Sequence, residues 1–488
     1  MDNEIGLVKC RGYLDSKVPE GRAFMKSTGL HRLWFFILIA AVAAFVAGCQ
    51  RAQTAQGPNI ILITIDTLRA DRLGAYGNAA GLTPAIDELA RDGVVFERAT
   101  TVMGTTWPAH TSMLTGLYPR RHGVRKNGHA LSENTTTIAE LLSRAGYATG
   151  SFVSYRGMHY NCGLDRGFDA ASDRDSGPLE APSIRDGRAV TDLAVDWVES
   201  LAGDDRPAFL WMHLFEPHTP YEPNRYTERL LDGRALPAVY ADGLTAEELN
   251  GIGLAVLQRP EELAVMHALY DAEVQLADQY VGELIDTLAR AGRLDNSVVI
   301  VTSDHGQGLG DERVLAHGPV LTEAVLHVPM IVRDFRNGST SRIADNVSVV
   351  DLAPTLMQLA LGLPMPEVDG RSLTDYLNGS PSGDAERDTF AEVALRENLV
   401  GRDWYDPDAL AVYADGLKFI FEHDEFRVFD PTSIPSAAAE IVGDPQSEAL
   451  AAYLGSVAES YLAGEVESRD AELSDADIEA LRSLGYLQ

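Results

Sequence analysis

Cysteine and positive charge are both scarce in this chain. Its 488 residues include 3 cysteines, and 40 Lys and Arg stand against 72 Asp and Glu, which gives a formal net charge of −32. So few cysteines exclude a fold held together by disulfides. The negative charge argues against a nucleic-acid partner, because such a partner requires its phosphates to be neutralised. Hydrophobic residues at 45% nevertheless predict a large folded core.

Long apolar runs are also scarce, and the most apolar one lies near the N-terminus. Residues 33–48, LWFFILIAAVAAFVAG, carry no charge and follow the basic residues Lys26 and Arg32. This run is short for a spanning helix and ends in Val-Ala-Gly-Cys49, which resembles a bacterial lipobox. We therefore expect residues 1–48 to be a signal peptide, with Met25 as an alternative start. An uncleaved membrane anchor is the other interpretation.

Lipidation of Cys49 would make the protein an exported bacterial lipoprotein. Residues 49–58 would then form a lipid-anchored tether to the membrane. The expected location is the periplasmic face of an outer membrane, or the cell surface.

Beyond the tether, continuous apolar runs alternate with segments of helical spacing. The apolar runs predict buried strands, and they are NIILITI, PAFLWMHLF, SVVIVTS and VPMIVR. Predicted helices include one near 186–202 and one near 260–291. This alternation predicts an α/β fold with a mostly parallel sheet between helices, over residues 59–385. From residue 386 to 488 the pattern changes, and LAVYADGLKFIFEHDEFRVFD predicts a small C-terminal antiparallel sheet with helices.

Polar residues follow three of the predicted strands. Asp66 comes directly after NIILITI, Asp304 and His305 follow the third strand, and His218 lies just beyond the second. Ligands of open α/β sheets bind outside the carboxyl ends of the strands, so these side chains are expected to meet. Two carboxylates at one place repel each other unless a cation or a proton lies between them. A divalent metal is the simplest explanation, although a lone Asp after a strand often serves only as a helix cap.

Six ordered segments resemble the sulfatase family of the alkaline phosphatase superfamily. They are NIILITIDTLRADRLGAYG, TPAIDELARDGVVFERAT, TTWPAHTSMLTGLYPRRHGV, FEPHTPY, VVIVTSDHGQGLGD and VSVVDLAPTLMQLA. The resemblance extends from about Asn59 to the C-terminus. It implies an alkaline-phosphatase-like fold and a metal-dependent hydrolase of sulfate or phosphate-type esters.

The resemblance also implies a set of site residues. Asp66, Asp304 and His305 match the family's metal ligands, and Thr106 falls where the family has its nucleophile. A single divalent metal would contact and activate the Thr106 hydroxyl. Because one ligand is an imidazole, zinc or manganese is favoured, with calcium as the alternative. Thr105 is the alternative nucleophile if the loop register differs by one residue.

The departures from the family pattern bear on the substrate. Typical sulfatases carry Cys-x-P-x-R or Ser-x-P-x-R, whose first residue becomes formylglycine, whereas this chain has Thr106, Pro108 and His110. A threonine sulfate cannot expel sulfate by breaking its own C–O bond, as the formylglycine hydrate does. Threonine nucleophiles occur in phosphatase and phosphodiesterase branches of the superfamily. The prediction therefore leans toward phosphate or phosphonate esters.

Other contacts carried over from the family are mostly histidines. His218 matches a residue that protonates the leaving oxygen, and His317 lies near the place of a family lysine. His110 stands in the place of the motif arginine, and Asn127 fits a substrate-contacting position. The family's Lys-x-x-His-like segment should follow GYATG, but this chain reads SFVSYRG there, so those two contacts are expected to be missing.

Two alternatives to a phosphorus-ester hydrolase stay open. One is a true sulfuric ester hydrolase, arylsulfatase-like but without formylglycine. The other is a non-catalytic, metal-binding surface lipoprotein that has kept the fold. The expected partner is a small-molecule, glycan or lipid-headgroup ester.

Overall fold

The computed structural model describes residues 56–172, 184–379, 387–393, 406–423, 425–431 and 445–464, together with 466, 468 and 470. The predicted signal peptide, Cys49 and most of the predicted tether lie outside these residues. Within the described ranges, no helix is both long and apolar enough to cross a membrane.

The strands of the described residues form one large sheet and two smaller ones. In chain order they are β1 (Asn59–Ile65), β2 (Val94–Thr100), β3 (Ala148–Val153), β4 (Ala170–Ala171), β5 (Ala208–Leu214), β6 (Ser297–Thr302), β7 (Gly308–Leu309), β8 (Leu315–Ala316), β9 (His327–Asp334), β10 (Ser341–Ser348), β11 (Thr389–Glu392), β12 (Leu410–Ala414), β13 (Leu417–Glu422) and β14 (Glu425–Phe429). The large sheet has the order β10-β2-β9-β6-β1-β5-β3-β4. Its pairings are parallel except those of β9, which runs antiparallel to β2 and β6.

Helices cover both faces of the large sheet. They are α1 (Pro84–Arg91), α2 (Thr106–Thr115), α3 (Pro119–His122), α4 (Ile138–Arg144), α5 (Gly157–Tyr160), α6 (Gly187–Ser200), α7 (Thr227–Leu231), α8 (Ala246–Ile252), α9 (Pro260–Arg290), α10 (Glu323–Leu326), α11 (Leu352–Leu361), α12 (Thr374–Leu377) and α13 (Pro445–Leu462). Short 3₁₀ helices lie at Ala70–Arg72, Gly74–Tyr76, Ala238–Tyr240, Gly253–Gln258, Leu294–Asn296, Asp311–Arg313 and Val349–Asp351.

Every residue of β1 is buried, which explains why its sequence is a continuous apolar run and not an alternating one. Ile60 and Leu62 point into one hydrophobic core, which also holds side chains of α2, α4 and α11. Ile61 and Ile63 point into the opposite core, which holds side chains of α1, α6 and α9. The predicted parallel sheet between two layers of helices is confirmed.

The predicted C-terminal antiparallel sheet is confirmed as well. Strands β11, β12, β13 and β14 pair in that order, and every pairing is antiparallel. Leu454 and Ala458 of α13 pack on one face of this sheet. The predicted turn between β12 and β13 is present, and Asp415 and Gly416 both have positive φ there.

Four strands of the large sheet deliver their carboxyl ends to one edge. The register pairs Thr64 of β1 with His213 of β5 on one side and with Thr302 of β6 on the other. The residues that follow these strands therefore lie at the same level. Strand β2 runs in the same direction and leads through Thr101 into α2. The Thr101 hydroxyl donates a hydrogen bond to the Asp304 carbonyl oxygen, which holds the start of the α2 segment against the end of β6.

Candidate active site

Two carboxylates meet at this edge with most of their oxygen atoms unpaired. Neither Asp66 nor Asp304 has any exposed surface. The Asp304 Oδ1 atom accepts hydrogen bonds from the backbone N–H of Thr67 (3.2 Å) and of His305 (2.8 Å). Among the described residues, Asp304 Oδ2 and both oxygens of Asp66 have no hydrogen-bond partner. Buried carboxylate oxygens without partners are costly, so their lone pairs are available to a cation.

His305 completes this group. One ligand atom from each of Asp66, Asp304 and His305 lies within 4.8 Å of the others. The His305 Nδ1 atom lies 3.0 Å from the Gly306 carbonyl oxygen, which only accepts, so Nδ1 carries the proton. Nε2 is left with its lone pair and has no hydrogen-bond partner in the described part of the chain. A ring held at one nitrogen by a carbonyl is the usual arrangement of a metal-ligating histidine. The three predicted ligands fit a divalent cation.

The ionisation of one carboxylate affects the pKa of the other. Burial raises the pKa of Asp66 well above its usual range, and the nearby charge of Asp304 raises it further. Burial also acts to raise the pKa of Asp304, but His305 and His110 outweigh it, and the net shift is downward. Without a cation, the site therefore favours the charged form of Asp304 over the charged form of Asp66, and a cation between them would favour both charges.

A strained turn fixes the Asp66–Asp304 geometry. Thr67, directly after Asp66, has φ 54°, in the left-handed region that threonine rarely adopts. This conformation points the Thr67 N–H at Asp304. The Tyr270 hydroxyl donates to the Thr67 carbonyl oxygen at 2.7 Å and holds the turn from α9.

Thr106 is the first residue of α2 and has no exposed surface. The N-terminus of a helix favours negative charge on the groups that lie there. Asn127 holds this end of the helix, because its Oδ1 atom accepts from the Trp107 N–H at 2.9 Å. The neighbouring Thr105 is also buried, and its hydroxyl has no hydrogen-bond partner among the described residues. Both threonines therefore lie at the start of α2, and their positions do not distinguish which of the two would be the nucleophile.

His218 and His317 lie in a row of rings that ends at His305. The His305 and His317 ring centroids are 4.4 Å apart, and those of His317 and His218 are 5.0 Å apart. The His317 Nδ1 atom lies 2.8 Å from Oε1 of Gln307, whose amide nitrogen donates to the Tyr221 hydroxyl at 2.6 Å. Burial lowers the pKa of His218 to about 4, so this ring is neutral near pH 7 in the free protein.

His110 lies beside the carboxylates, four residues along α2 from Thr106. Its Nδ1 atom is 3.8 Å from Asp304 Oδ2, and its Nε2 atom is 3.1 Å from the Thr64 hydroxyl oxygen. Burial, together with the charge of His213, lowers the pKa of His110 to about 3. A neutral imidazole therefore stands where the family motif has a charged arginine.

His213 belongs to the site, although the sequence did not single it out. It lies within β5, is fully buried, and its Nε2 atom is 3.6 Å from Asp66 Oδ2. Neither of its ring nitrogens has a hydrogen-bond partner among the described residues. Burial lowers the pKa of His213 to about 4. The available signal was a histidine inside an otherwise apolar strand.

Arg156 and His159 were also missed. They follow β3 with basic-x-x-His spacing, arginine standing where a lysine was expected, and both are buried. The His159 Nε2 atom lies 2.6 Å from the Ser151 hydroxyl oxygen, and its ring centroid is 5.7 Å from that of Trp211. His122 Nε2 lies 3.0 Å from the Ser112 hydroxyl oxygen of α2, and His122 Nδ1 accepts from the Val124 N–H at 3.0 Å. His129 Nδ1 lies 3.2 Å from the Gly123 carbonyl oxygen.

Comparisons with known proteins agree with this fold. The Sulfatase family model matches residues 58–363. An arylsulfatase of Clostridium perfringens is 24% identical over 484 residues, covering 86% of this chain and 96% of that protein. A multifunctional alkaline phosphatase superfamily protein of Trinickia caryophylli is 22% identical, covering 80% of this chain and 92% of that protein. The solved phosphonate monoester hydrolase of Silicibacter pomeroyi superposes with a TM-score of 0.66 at 22% identity, covering 84% of this chain and 96% of that one. The fold is therefore alkaline-phosphatase-like, as predicted.

Proposed function

The chain belongs to the sulfatase family and is an ester hydrolase, and from this premise we propose that it cleaves phosphate or phosphonate esters with Thr106 as its nucleophile. One observation carries the proposal. The unpartnered oxygens of Asp66 and Asp304 converge with the Nε2 atom of His305 at one edge of the sheet. The start of α2 lies beside them, because His110 Nδ1 is 3.8 Å from Asp304 Oδ2 and 2.9 Å from the carbonyl oxygen of Thr106, the first residue of α2. A buried hydroxyl at a helix N-terminus beside a cation site is suited to nucleophilic attack.

Members of the family bind a divalent metal, and here Asp66, Asp304 and His305 would hold it. Two carboxylates and one imidazole favour zinc or manganese, with calcium less suited to the imidazole. When bound, the ion supplies positive charge that lowers the pKa of the Thr106 hydroxyl and stabilises charge on the ester oxygens.

Threonine chemistry favours phosphorus over sulfur. Attack by the Thr106 oxygen on phosphorus forms one P–O bond and breaks the ester P–O bond, and the leaving oxygen takes a proton. Water then attacks the phosphorus of the threonine ester, restores the hydroxyl and releases phosphate or phosphonate. Neither step needs the C–O cleavage by which formylglycine releases sulfate.

His218 and His317 are the proposed proton carriers. A carbonyl oxygen accepts at His218 Nδ1 (2.7 Å) and an amide oxygen accepts at His317 Nδ1 (2.8 Å), so the Nδ1 atom of each neutral ring carries the proton. His218 is neutral near pH 7, so it needs a bound anion to raise its pKa before it can act as an acid. The Asn127 Nδ2 group has no hydrogen-bond partner among the described residues and is the proposed donor to a substrate oxygen.

A rate comparison tests the nucleophile and the transferred group together. The full chain in detergent, loaded with zinc or manganese, would be assayed on nitrophenyl sulfate, phosphate, phosphonate and phosphodiester. We expect turnover of a phosphorus ester that falls about a thousandfold in Thr106→Ala, as loss of a nucleophile does. The neighbouring Thr105→Ala is the matched control and is expected to stay within about tenfold of wild type.

The other outcomes are equally informative. A large loss in Thr105→Ala with activity kept in Thr106→Ala would reverse the assignment of the two threonines. Sulfate turnover that survives Thr106→Ala would overturn the threonine mechanism. No turnover of any ester by metal-loaded protein would leave these four esters outside its substrate range and would count against the proposal.

A sulfuric ester hydrolase is the second candidate. It is favoured by the Clostridium perfringens arylsulfatase, of which this chain covers 96%. This candidate would be supported if the protein cleaved nitrophenyl sulfate faster than every phosphorus ester and if Thr106→Ala abolished that activity.

We also propose that the enzyme is an exported lipoprotein acting on small-molecule, glycan or lipid-headgroup esters. The lipobox-like Val-Ala-Gly-Cys49 supports this location. Mass spectrometry of the mature N-terminus should find a lipid on Cys49, and Cys49→Ser should release the protein from membranes. An unmodified N-terminus upstream of Cys49 would contradict the proposal.

A further inference from the structure

The site contains two groups of ligand atoms, and they share Asp304. The first group is Asp66, Asp304 and His305, and the second is His110, His213 and Asp304. In each group one ligand atom per residue lies within 4.8 Å of the others, and every residue is buried. The proposed function uses only the first group.

We propose that His110, His213 and Asp304 hold a second divalent cation, and that Asp304 Oδ2 bridges the two cations. The proposal deepens the proposed function, because it adds a cation to the same site. It is tested independently of that function, since metal content is measured without a substrate.

The position of Asp304 supports a bridge. Its Oδ1 atom is used by two backbone N–H groups. Its Oδ2 atom lies 3.4 Å from His305 Nε2 and 3.8 Å from His110 Nδ1, so one carboxylate oxygen is flanked by an imidazole from each group. Cations that share a ligand in two-metal hydrolases lie roughly 3.5–4 Å apart, which this spacing accommodates.

His213 supplies the independent observation. A fully buried imidazole ordinarily satisfies at least one of its ring nitrogens. Neither nitrogen of His213 has a hydrogen-bond partner in the described part of the chain, and its ring centroid is 4.8 Å from that of His110. The nearest acidic atom, Asp66 Oδ2, lies 3.6 Å from His213 Nε2, which is too far for a hydrogen bond. A cation between the two rings would use a lone pair of His213 that has no hydrogen bond in the described part of the chain.

The surroundings of His110 suit a ligand as well. A cation at Nδ1 requires the ring proton to sit on Nε2, and the Thr64 hydroxyl oxygen lies 3.1 Å from Nε2 to accept it. Trp211 Nε1 donates to the same oxygen at 3.0 Å, and a hydroxyl oxygen has two lone pairs for two donors. Binding at Nδ1 would replace its 2.9 Å contact with the Thr106 carbonyl oxygen. The Thr64 hydroxyl would then hold the His110 ring at Nε2 while Nδ1 binds the cation, as groups that surround metal-bound histidines do.

Charge explains what a second cation would add. One divalent cation balances the two carboxylates, and a second leaves two positive charges for a phosphate or phosphonate group. A cation held by the His110 ring would bring positive charge to the position where the family motif has an arginine. The nearby Arg69 is already paired with Asp71 (2.6 Å) and with Asp311. Two imidazoles and one carboxylate favour zinc at this position.

Metal counting on the intact chain tests the proposal. The detergent-solubilised wild type would be stripped with a chelator, reloaded with zinc, dialysed and analysed by elemental mass spectrometry. We expect two equivalents of zinc in the wild type and one in His213→Asn. His122→Asn is the matched control, because His122 is a buried histidine bonded to Ser112 (3.0 Å) outside both groups, and it should keep two.

Manganese gives a second readout. Two manganese ions bridged by Asp304 should show an exchange-coupled electron paramagnetic resonance spectrum in the wild type, and His213→Asn should show an uncoupled one. Thr64→Val keeps the shape of the side chain but removes the acceptor behind His110. Thr64→Val should lower the affinity for the second manganese ion by roughly 10- to 100-fold and leave the affinity for the first ion unchanged.

One equivalent in the wild type, or two coupled ions in His213→Asn, would overturn the proposal. If His213→Asn does not fold, the wild-type count and Thr64→Val still decide the matter. Two coupled ions with no ester turnover would keep the second cation and reject the proposed function, so the two failures are distinguishable.

Discussion

Two buried charged clusters in this enzyme are built in opposite ways. At the C-terminal antiparallel sheet, Lys418 Nζ donates to Glu323 Oε1 at 2.6 Å and to the Leu321 carbonyl oxygen at 2.5 Å. The Tyr413 hydroxyl donates to the same carboxylate at 2.7 Å. At the edge of the large sheet, Asp66 and Asp304 are as deeply buried, yet three of their four oxygens have no hydrogen-bond partner among the described residues.

The difference separates a structural cluster from a functional one. Burial of charge is common to both and therefore identifies neither. A cluster that joins two parts of a fold pairs its charges within the chain, because an unpaired buried charge costs several kcal/mol. A cluster that receives a ligand leaves that pairing to the ligand. Unpartnered buried atoms, and not buried charge as such, mark the site.

The largest expected effect comes from breaking the functional cluster. Asp304→Asn keeps an oxygen for the Thr67 and His305 N–H groups but removes the charge that would hold the cations. We expect kcat/KM to fall about a thousandfold, since the cation supplies several kcal/mol of transition-state stabilisation. Urea unfolding of the metal-free variant should show a loss of stability near pH 7, because the lowered pKa of Asp304 means that its charge is favourable in the folded protein. Activity within about tenfold of wild type would contradict the assignment.

An intermediate effect is expected in the structural cluster, on stability and not on catalysis. Glu323→Gln leaves the buried Lys418 ammonium without its counter-charge and should cost roughly 3–5 kcal/mol in urea unfolding. Combining Glu323→Leu with Lys418→Met removes both charges and should recover most of that loss. The catalytic rate of folded Glu323→Gln should match the wild type. A loss below about 1 kcal/mol in Glu323→Gln would show that this pair contributes no more than a surface salt bridge.

The smallest effect is expected for the stability contribution of Glu216, a carboxylate that is only partly hydrogen-bonded. Its Oε1 atom accepts from the Gly187 N–H at 3.0 Å, while Oε2 has no hydrogen-bond partner in the described residues. Burial raises its pKa from 4.5 to about 7, and the charges of Asp186 and Glu222 add to the rise. Here a proton takes the role that the proposed cation would take at Asp66.

The sign of the pH effect follows from that shift. The folded state holds a proton on Glu216 that the unfolded state releases, so this contribution to stability is complete below the unfolded pKa and is lost as the pH rises through about 7. Glu216→Gln should equal the wild type in urea unfolding near pH 4 and exceed it by about 1–3 kcal/mol near pH 8. Equal stability at both pH values would show that Glu216 is ionised in the folded protein.

Much of this arrangement was predictable because strand ends are visible in the sequence. The apolar runs that end at Asp66 and Asp304 fixed the edge of the sheet where both carboxylates meet. His213 was missed because it lies inside a strand and not at its end. Its Nε2 atom comes within 3.6 Å of Asp66 Oδ2 only once β1 and β5 are paired. No sequence pattern states which buried atoms lack partners, since that depends on distances between residues far apart in the chain.

The strained backbone at Thr67 lowers the stability of the fold while it orients Asp304, so selection for stability and selection for activity act on it in opposite directions. A non-glycine residue in the left-handed region costs on the order of 1–3 kcal/mol, so Thr67→Gly would relieve strain in the folded state. The same change would loosen the N–H that orients Asp304. A laboratory screen that rewards heat resistance alone would therefore enrich variants at this position whose metal site is less well formed, and a screen for turnover would discard them. The strained threonine is expected to persist only while the chemistry is under selection.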